Sequence, residues 1–190
     1  MKILAISGSL RQASYNTQLL ELAGRCLPKQ IDYSLYTCGA LPLYNQELDG
    51  ADKPPAVQEL LERIDAADGL LIATPEYNYS VPGVLKNAID WASRPAFRSV
   101  LKGRPTAIVS ASMSGLGGIR AQIHLKQILG GTLTPVFPAA DFLVSTAHQV
   151  FSANGSINDS SLPERLQQYL ADFVVWIEAH SSRFSDDNKR

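Results

Sequence analysis

Short apolar runs and helical apolar stripes alternate along the chain. Residues 3–6, 33–37, 69–74 and 106–111 are brief stretches bounded by Gly, Ser or Pro, and the apolar ones lack period-2 alternation, the pattern of strands covered on both faces. Between them the period changes. Leu19, Leu20, Ala23, Cys26 and Leu27 share a helical face that Pro28 closes, and Pro54-Pro55 opens a second helix with Val57, Leu60, Leu61 and Ile64 inward. A third helix is centred on Val84, Leu85, Ala88, Ile89 and Ala92, and a fourth runs from about Ile119 to Leu129. Residues 132–137 and 142–145 read as a fifth strand broken around Pro138, and Leu162, Leu166, Tyr169, Leu170, Phe173 and Ile177 keep helical spacing in a last helix. Strand and helix thus alternate five times, which predicts a doubly wound α/β domain over residues 1–180 with a polar, frayed tail at 181–190. In such a domain the ligand sits outside the carboxyl ends of the strands.

Composition narrows the function classes. A chain of 190 residues suits one core, and 45% apolar residues suffice to build it. With 17 basic and 18 acidic residues mixed along the chain, the net charge of -1 leaves no footprint for nucleic acid and no polybasic membrane patch. The apolar run at 3–6 is shorter than a signal-peptide core, and no run approaches the ~20 residues that span a bilayer, so a cytoplasmic protein is expected. Cys26 and Cys38 match neither a disulfide framework nor a metal knuckle; Cys26 reads as a small buried hydrophobe.

The candidate chemistry lies in the loops after strands one, three and four. The first is Gly8-Ser9-Leu10-Arg11-Gln12-Ala13-Ser14-Tyr15-Asn16. It enters a helix N-terminus, where unpaired N–H groups attract anions, and no acid occurs before Glu21. Donors from Ser9, Ser14, Asn16 and Thr17 with the Arg11 guanidinium suit a phosphate monoester, although Ser14 or Asn16 also suits a plain helix cap. No Walker A stretch exists, and G-x-G-x-x-G is missing, as is an acid at the tip of strand two, which excludes a dinucleotide crevice. The second loop, Pro75-Glu76-Tyr77-Asn78-Tyr79-Ser80, crowds polar and aromatic groups on an apolar strand tip. Asn78 suits a ring edge carrying both N–H and C=O, while Ser80 reads as the next helix cap with Pro82 in its first turn. The third, Ser112-Met113-Ser114-Gly115-Leu116-Gly117-Gly118, exposes backbone N–H groups that favour negative charge on a bound ring. A phosphate site, a ring-edge reader and a donor loop on adjacent strands describe FMN.

The run G-S-L-R-x-x-S-x-N at 8–16 and the longer P-E-Y-N-x-S-x-P-G-x-L-K-N-A-I-D-W at 75–91 resemble the NADPH-dependent FMN reductase family, in particular its bacterial chromate and quinone reductase branch. The likeness continues through R-A-Q-x-H-L-x-Q-I-L from Arg120. It implies a flavodoxin-like five-stranded parallel sheet of order 2-1-3-4-5 with helices on both faces. It also implies FMN phosphate held by Ser9, Arg11, Ser14 and Asn16 with Tyr15 beside them. The isoalloxazine would lie against Pro75, Glu76, Tyr77 and Asn78 and the loop containing Ser112, Ser114, Gly115 and Gly117. Homodimers or homotetramers are implied as well. Arg120 matches an arginine of an intersubunit network in the tetrameric branch, but Ile123 stands where its partner tyrosine would be, which favours a dimer.

The expected activity is ping-pong transfer from NADPH or NADH through FMN to a small electron acceptor, among which quinones, chromate, azo compounds and free flavin all stay open. No side chain presents itself as an acid–base catalyst: His124, His148 and His180 lie outside the three loops. Arg98, Lys102 and Arg104 read as a solvated basic face rather than a 2′-phosphate site. A flavodoxin-type electron carrier and a flavin-bearing redox sensor are the alternatives; carriers are usually strongly acidic, and this chain is not.

Overall fold

A computed structural model describes residues 1–152 and 156–187. Strands Lys2–Ser7 (β1), Asp32–Thr37 (β2), Gly69–Ala73 (β3), Thr106–Ala111 (β4) and Phe142–Val144 (β5) form an all-parallel sheet in the order β2-β1-β3-β4-β5. The flavodoxin-like fold expected from the sequence is therefore present. β3 is buried at every position, as a strand covered on both faces must be, whereas edge strand β2 alternates. The helices are Tyr15–Cys26 (α1), Pro55–Ala66 (α2), Gly83–Ala92 (α3), Ile119–Gly131 (α4), Ala147–Val150 (α5) and Leu162–Asp187 (α6).

Strand residues divide by parity between two cores. Ile3, Ala5, Leu71, Ala73, Ala107 and Val109 pack with Leu19, Leu20 and Ala23 of α1 and Leu166, Leu170, Phe173 and Ile177 of α6. Leu4, Ile6, Leu70, Ile72 and Ile108 pack with Leu60 and Ile64 of α2, Leu85 and Ile89 of α3, and Leu125 and Leu129 of α4. The chain steps from β1 out to β2, then crosses back to β3 on the other side of β1. That reversal opens a crevice at the carboxyl ends of β1 and β3.

Three details differ from the sequence reading. The first half of the broken strand makes only a single bridge, Thr106 to Val136, because Pro135 and Pro138 lack the N–H that a ladder needs. The tail expected from Ser181 is helical up to Asp187, since no Gly or Pro interrupts α6 after Pro163; residues 188–190 lie outside the described residues. Cys26 is half-buried, its Sγ 3.7 Å from the Pro163 carbonyl oxygen, rather than enclosed.

Candidate active site

The β1–α1 loop gathers hydrogen-bond donors at the N-terminus of α1. Gly8 N–H continues the β1–β3 ladder to Ala73 at 2.8 Å, and a Cβ there would meet the Ala73 carbonyl oxygen and Leu85 Cδ2, each at 3.1 Å. The loop then closes with Ser14 N–H donating to the Arg11 carbonyl at 3.1 Å. Ser14 caps α1, its Oγ accepting from Thr17 N–H at 3.3 Å, and the first turn carries no acid. Ser9 Oγ accepts from Arg11 N–H at 3.3 Å. Both hydroxyls are buried and keep their O–H for a ligand. The cap and the anion readings of Ser14 are therefore compatible. Exposed Arg11 lies over the Tyr15 ring, 4.9 Å from its centroid, and Tyr15 stacks at 6.0 Å on Phe151.

Asn16 has an additional task. Its Nδ2 donates to the Ala111 carbonyl and its Oδ1 accepts from Ala111 N–H, both at 2.9 Å, which ties the N-terminus of α1 to the end of β4. One amide hydrogen and the backbone N–H remain for an anion.

The β3–α3 loop is a tight hairpin. Tyr77 and Ser80 exchange backbone hydrogen bonds of 3.0 Å in both directions, with Asn78 at φ 51° and Tyr79 at φ 65° between them. Positive φ at both central residues is the type I′ turn, which favours Asn at the first position and Gly at the second. The turn corrects the expected cap: Ser80 is held in the hairpin, its Oγ 3.1 Å from His124 Nδ1, while α3 starts behind Pro82 with no side-chain cap. Asn78 is exposed and makes no hydrogen bond among the described residues.

Glu76 leaves the loop for α4. Its Oε2 accepts from Arg120 N–H at 3.1 Å and its Oε1 pairs with Arg120 Nη1 at 3.3 Å. The carboxylate serves as the cap that Gly118, with no side chain, cannot provide. The Arg120 guanidinium also lies 4.2 Å over the Tyr79 ring.

The β4–α4 loop is shaped by two buried glycines in left-handed conformation. At Gly117 (φ 60°) a Cβ would come within 2.9 Å of Leu143 Cβ, and at Gly118 (φ 92°) within 3.0 Å of Ser110 Cβ. Ser110 Oγ donates to the Gly117 carbonyl at 2.6 Å and accepts from Gln122 Nε2 at 2.8 Å. Gly115 is exposed with open space around it, so its lack of a side chain is not required by packing. Ser112 and Ser114 sit at the rim with their hydroxyls 3.2 Å apart.

These loops enclose a cleft of about 380 Å³ lined by Ser9, Arg11, Ser14, Tyr15, Asn16, Pro75, Glu76, Tyr77, Ala111, Ser112 and Met113. Eleven of the thirteen residues expected from the sequence lie in its wall or directly beside it: Asn78 in the hairpin and Ser114 in the next loop join nine of the lining residues. Gly117 shapes the third loop from below. The donor chemistry fits a flavin phosphate, with hydroxyls, helix N–H groups and one guanidinium at one end and a polar turn at the other. Glu76, the one acid in that wall, is already paired.

Sequence reasoning missed a second cleft of about 510 Å³, which shares Arg11 and Tyr77 and is lined mostly by apolar groups such as Leu10, Leu41, Leu43 and Val84. Asn87 builds its outer wall, accepting from Tyr44 N–H at 2.8 Å and donating to the Pro42 carbonyl at 2.9 Å, which Trp91 Nε1 also reaches at 2.8 Å. The i, i+4 spacing of Asn87 and Trp91 was the available signal. Cys38 lines this cleft, and burial pushes its thiol up to about 12. His124 was also missed as a neighbour of the site; it follows Arg120 by one turn of α4. Arg104 stands at the opposite end of the sheet, hydrogen-bonded to the carbonyls of Asp65 and Ala67.

Fold and site define a flavodoxin-like domain whose donor-rich loops gather at one edge of the sheet. The sequence profile of the NADPH-dependent FMN reductase family matches residues 1–149, and the chain belongs to that family. It is an FMN-dependent oxidoreductase with NAD(P)H as electron donor. An NAD(P)H-dependent FMN reductase of Pseudomonas aeruginosa is 43% identical over 177 residues, covering 93% of this chain and 95% of its own. A 2-hydroxy-1,4-benzoquinone reductase of a Burkholderia species is 37% identical, covering 93% and 96%. The solved flavoenzyme FerB, an NAD(P)H:(acceptor) oxidoreductase of Paracoccus denitrificans, superposes with a TM-score of 0.85 at 36% identity, covering 94% of this chain and 98% of its own. Among the described residues no helix is long and apolar enough to cross a membrane, and no cluster of His, Cys, Asp or Glu is disposed to hold a metal ion.

Proposed function

We propose that residues 1–180 form one cytoplasmic FMN-binding domain that reduces small quinones in a ping-pong cycle, as a homodimer or homotetramer. Chromate and azo compounds are further acceptors in this reading. Ser9, Arg11, Ser14, Tyr15 and Asn16 hold the FMN phosphate. Pro75, Glu76, Tyr77 and Asn78, with Ser112, Ser114, Gly115 and Gly117, border the ring. The carrying observation is the pair of buried hydroxyls, Ser9 and Ser14, at an acid-free helix N-terminus beside a cleft whose one carboxylate is paired. The quinone assignment is supported by the named activities of relatives that share 34–37% identity over more than nine-tenths of this chain.

FMN, when bound, would supply the redox chemistry between NAD(P)H and the acceptor. The protein's share is binding and orientation. The α1 N-terminus and Arg11 neutralise the phosphate. The I′ turn presents Asn78 with its amide free, able to pair with a ring edge that both donates and accepts. Gly117 and Gly118 allow the third loop to turn its backbone toward the cleft. The one carboxylate in the cleft wall, Glu76, is held by Arg120.

The test is the visible spectrum of the FMN-loaded protein under anaerobic NADPH, followed by benzoquinone. Bleaching and recovery, with parallel initial-rate lines, is the expected result. Intersecting lines would remove the ping-pong order, and a spectrum that does not bleach would point to a carrier. Wild-type flavin affinity in Arg11→Ala would overturn the phosphate assignment.

A further inference from the structure

Among the residues that line the flavin cleft, Glu76 is the only acid. Its side chain retains 13% of its accessible surface, so solvent screens it weakly. A carboxylate there opposes a cofactor whose phosphate is anionic and whose ring gains negative charge on reduction. Two groups of Arg120 meet it, the backbone N–H and the guanidinium. The guanidinium has a second contact, lying 4.2 Å over Tyr79. Tyr79 holds φ 65° at the turn position that favours Gly. A left-handed non-Gly residue is strained, and the cation–π contact of an exposed pair offsets part of that strain. One side chain thus masks the charge and braces the turn that carries Tyr77 and Asn78.

We propose that Arg120 is a positioning residue for the flavin site, which, by neutralising Glu76 and bracing the Tyr77–Ser80 turn, keeps the cleft favourable to the added negative charge of reduced FMN. The inference rests on the FMN site proposed above. It gives Arg120 a role within one chain, in contrast to the intersubunit network that the family resemblance implies.

In Arg120→Met the backbone N–H still anchors the carboxylate, so the substitution removes the compensating charge and the cation–π brace on Tyr79. The experiment uses FMN-loaded wild type, Arg120→Met, Arg120→Lys, Glu76→Gln and the Glu76→Gln/Arg120→Met double variant. The midpoint potential is read against a reference dye, and FMN affinity is read by quenching of flavin fluorescence. Arg120→Met is expected to weaken binding of reduced relative to oxidised FMN about tenfold, a fall of about 30 mV for a two-electron couple. Arg120→Lys should hold near the wild-type potential, Glu76→Gln should raise it, and the double variant, in which neither charge remains, should return to near the wild-type value. An unchanged potential in Arg120→Met, or a double variant no better than Arg120→Met, overturns the proposal. So does a change confined to oligomer size on gel filtration. If Arg120→Met does not fold by circular dichroism, Glu76→Gln decides alone, and an unmoved potential there is equally fatal. Failure of the site reading is separable: it shows as wild-type FMN affinity in Arg11→Ala, whatever Arg120 does.

Discussion

Asn16 offers a sharp test because it is part of the anion loop and also a structural tie. In Asn16→Ala the buried N–H and C=O of Ala111 both lose partners that stood at 2.9 Å. Each bond contributes roughly 1 kcal/mol net, and leaving buried partners unsatisfied raises the cost to about 1–3 kcal/mol apiece. Water reaching the emptied volume recovers part of that, so a loss of about 2–4 kcal/mol is expected for the apoprotein. For a domain of this size it corresponds to a fall in Tm of roughly 5–15 °C. Urea unfolding of FMN-free protein, followed by far-UV circular dichroism, measures it without any contribution from cofactor binding. Asn16→Asp separates the two roles. It keeps an acceptor for Ala111 N–H but sets a carboxylate against the Ala111 carbonyl and inside the anion site. FMN affinity should fall further in Asn16→Asp than in Asn16→Ala. A loss below 0.5 kcal/mol in Asn16→Ala, within the scatter of ordinary surface substitutions, would refute the tie between α1 and β4.

Other expectations are more local. Gly117→Ala places a Cβ 2.9 Å from Leu143 Cβ at φ 60°, so it should lower stability by about 1–2 kcal/mol or more and weaken FMN binding, read by urea midpoint and fluorescence titration. Asn87→Ala removes the side-chain acceptor of the Tyr44 N–H and leaves the Pro42 carbonyl to Trp91, so hydrogen exchange at the Tyr44 amide should quicken while the β3 amides stay protected. The Cys38 thiol is pushed by burial from 9.0 up to about 12. A raised folded value favours the fold fully below the ordinary value and is lost as pH rises through the folded one. Stability should therefore decline across pH 9.0 to about 12, and Cys38→Ala should flatten that decline in urea midpoints taken at several pH values. Iodoacetamide at pH 8 should leave Cys38 unmodified until the chain is unfolded.

What the sequence disclosed depends on whether the cause of a feature is local. β3 and β4 are runs of apolar residues between turn-formers, and their ends follow from that pattern to within a residue. The sheet order is non-local, yet it followed from the resemblance carried by the loop motifs, because a given set of strand-end loops implies which strands are neighbours. The hairpin at Tyr77–Ser80 was hidden for the opposite reason. Tyr at a left-handed position contradicts local preference, and what offsets it is Arg120, more than forty residues away in sequence. The same guanidinium accounts for an acid in an anion site, a local inconsistency at residue 76 that resolves only when α4 is in place. Asn87 and Trp91 were legible as a motif but not as a clamp, since Pro42 and Tyr44 carry no side-chain signal that they are held by their backbone atoms. Strain and charge that look unexplained in the chain are thus answered by distant partners, and they collect around the cleft because that is where the fold brings loops from β1, β3 and β4 together. A substitution at Arg120 should for that reason disturb the flavin environment more than its partial exposure suggests.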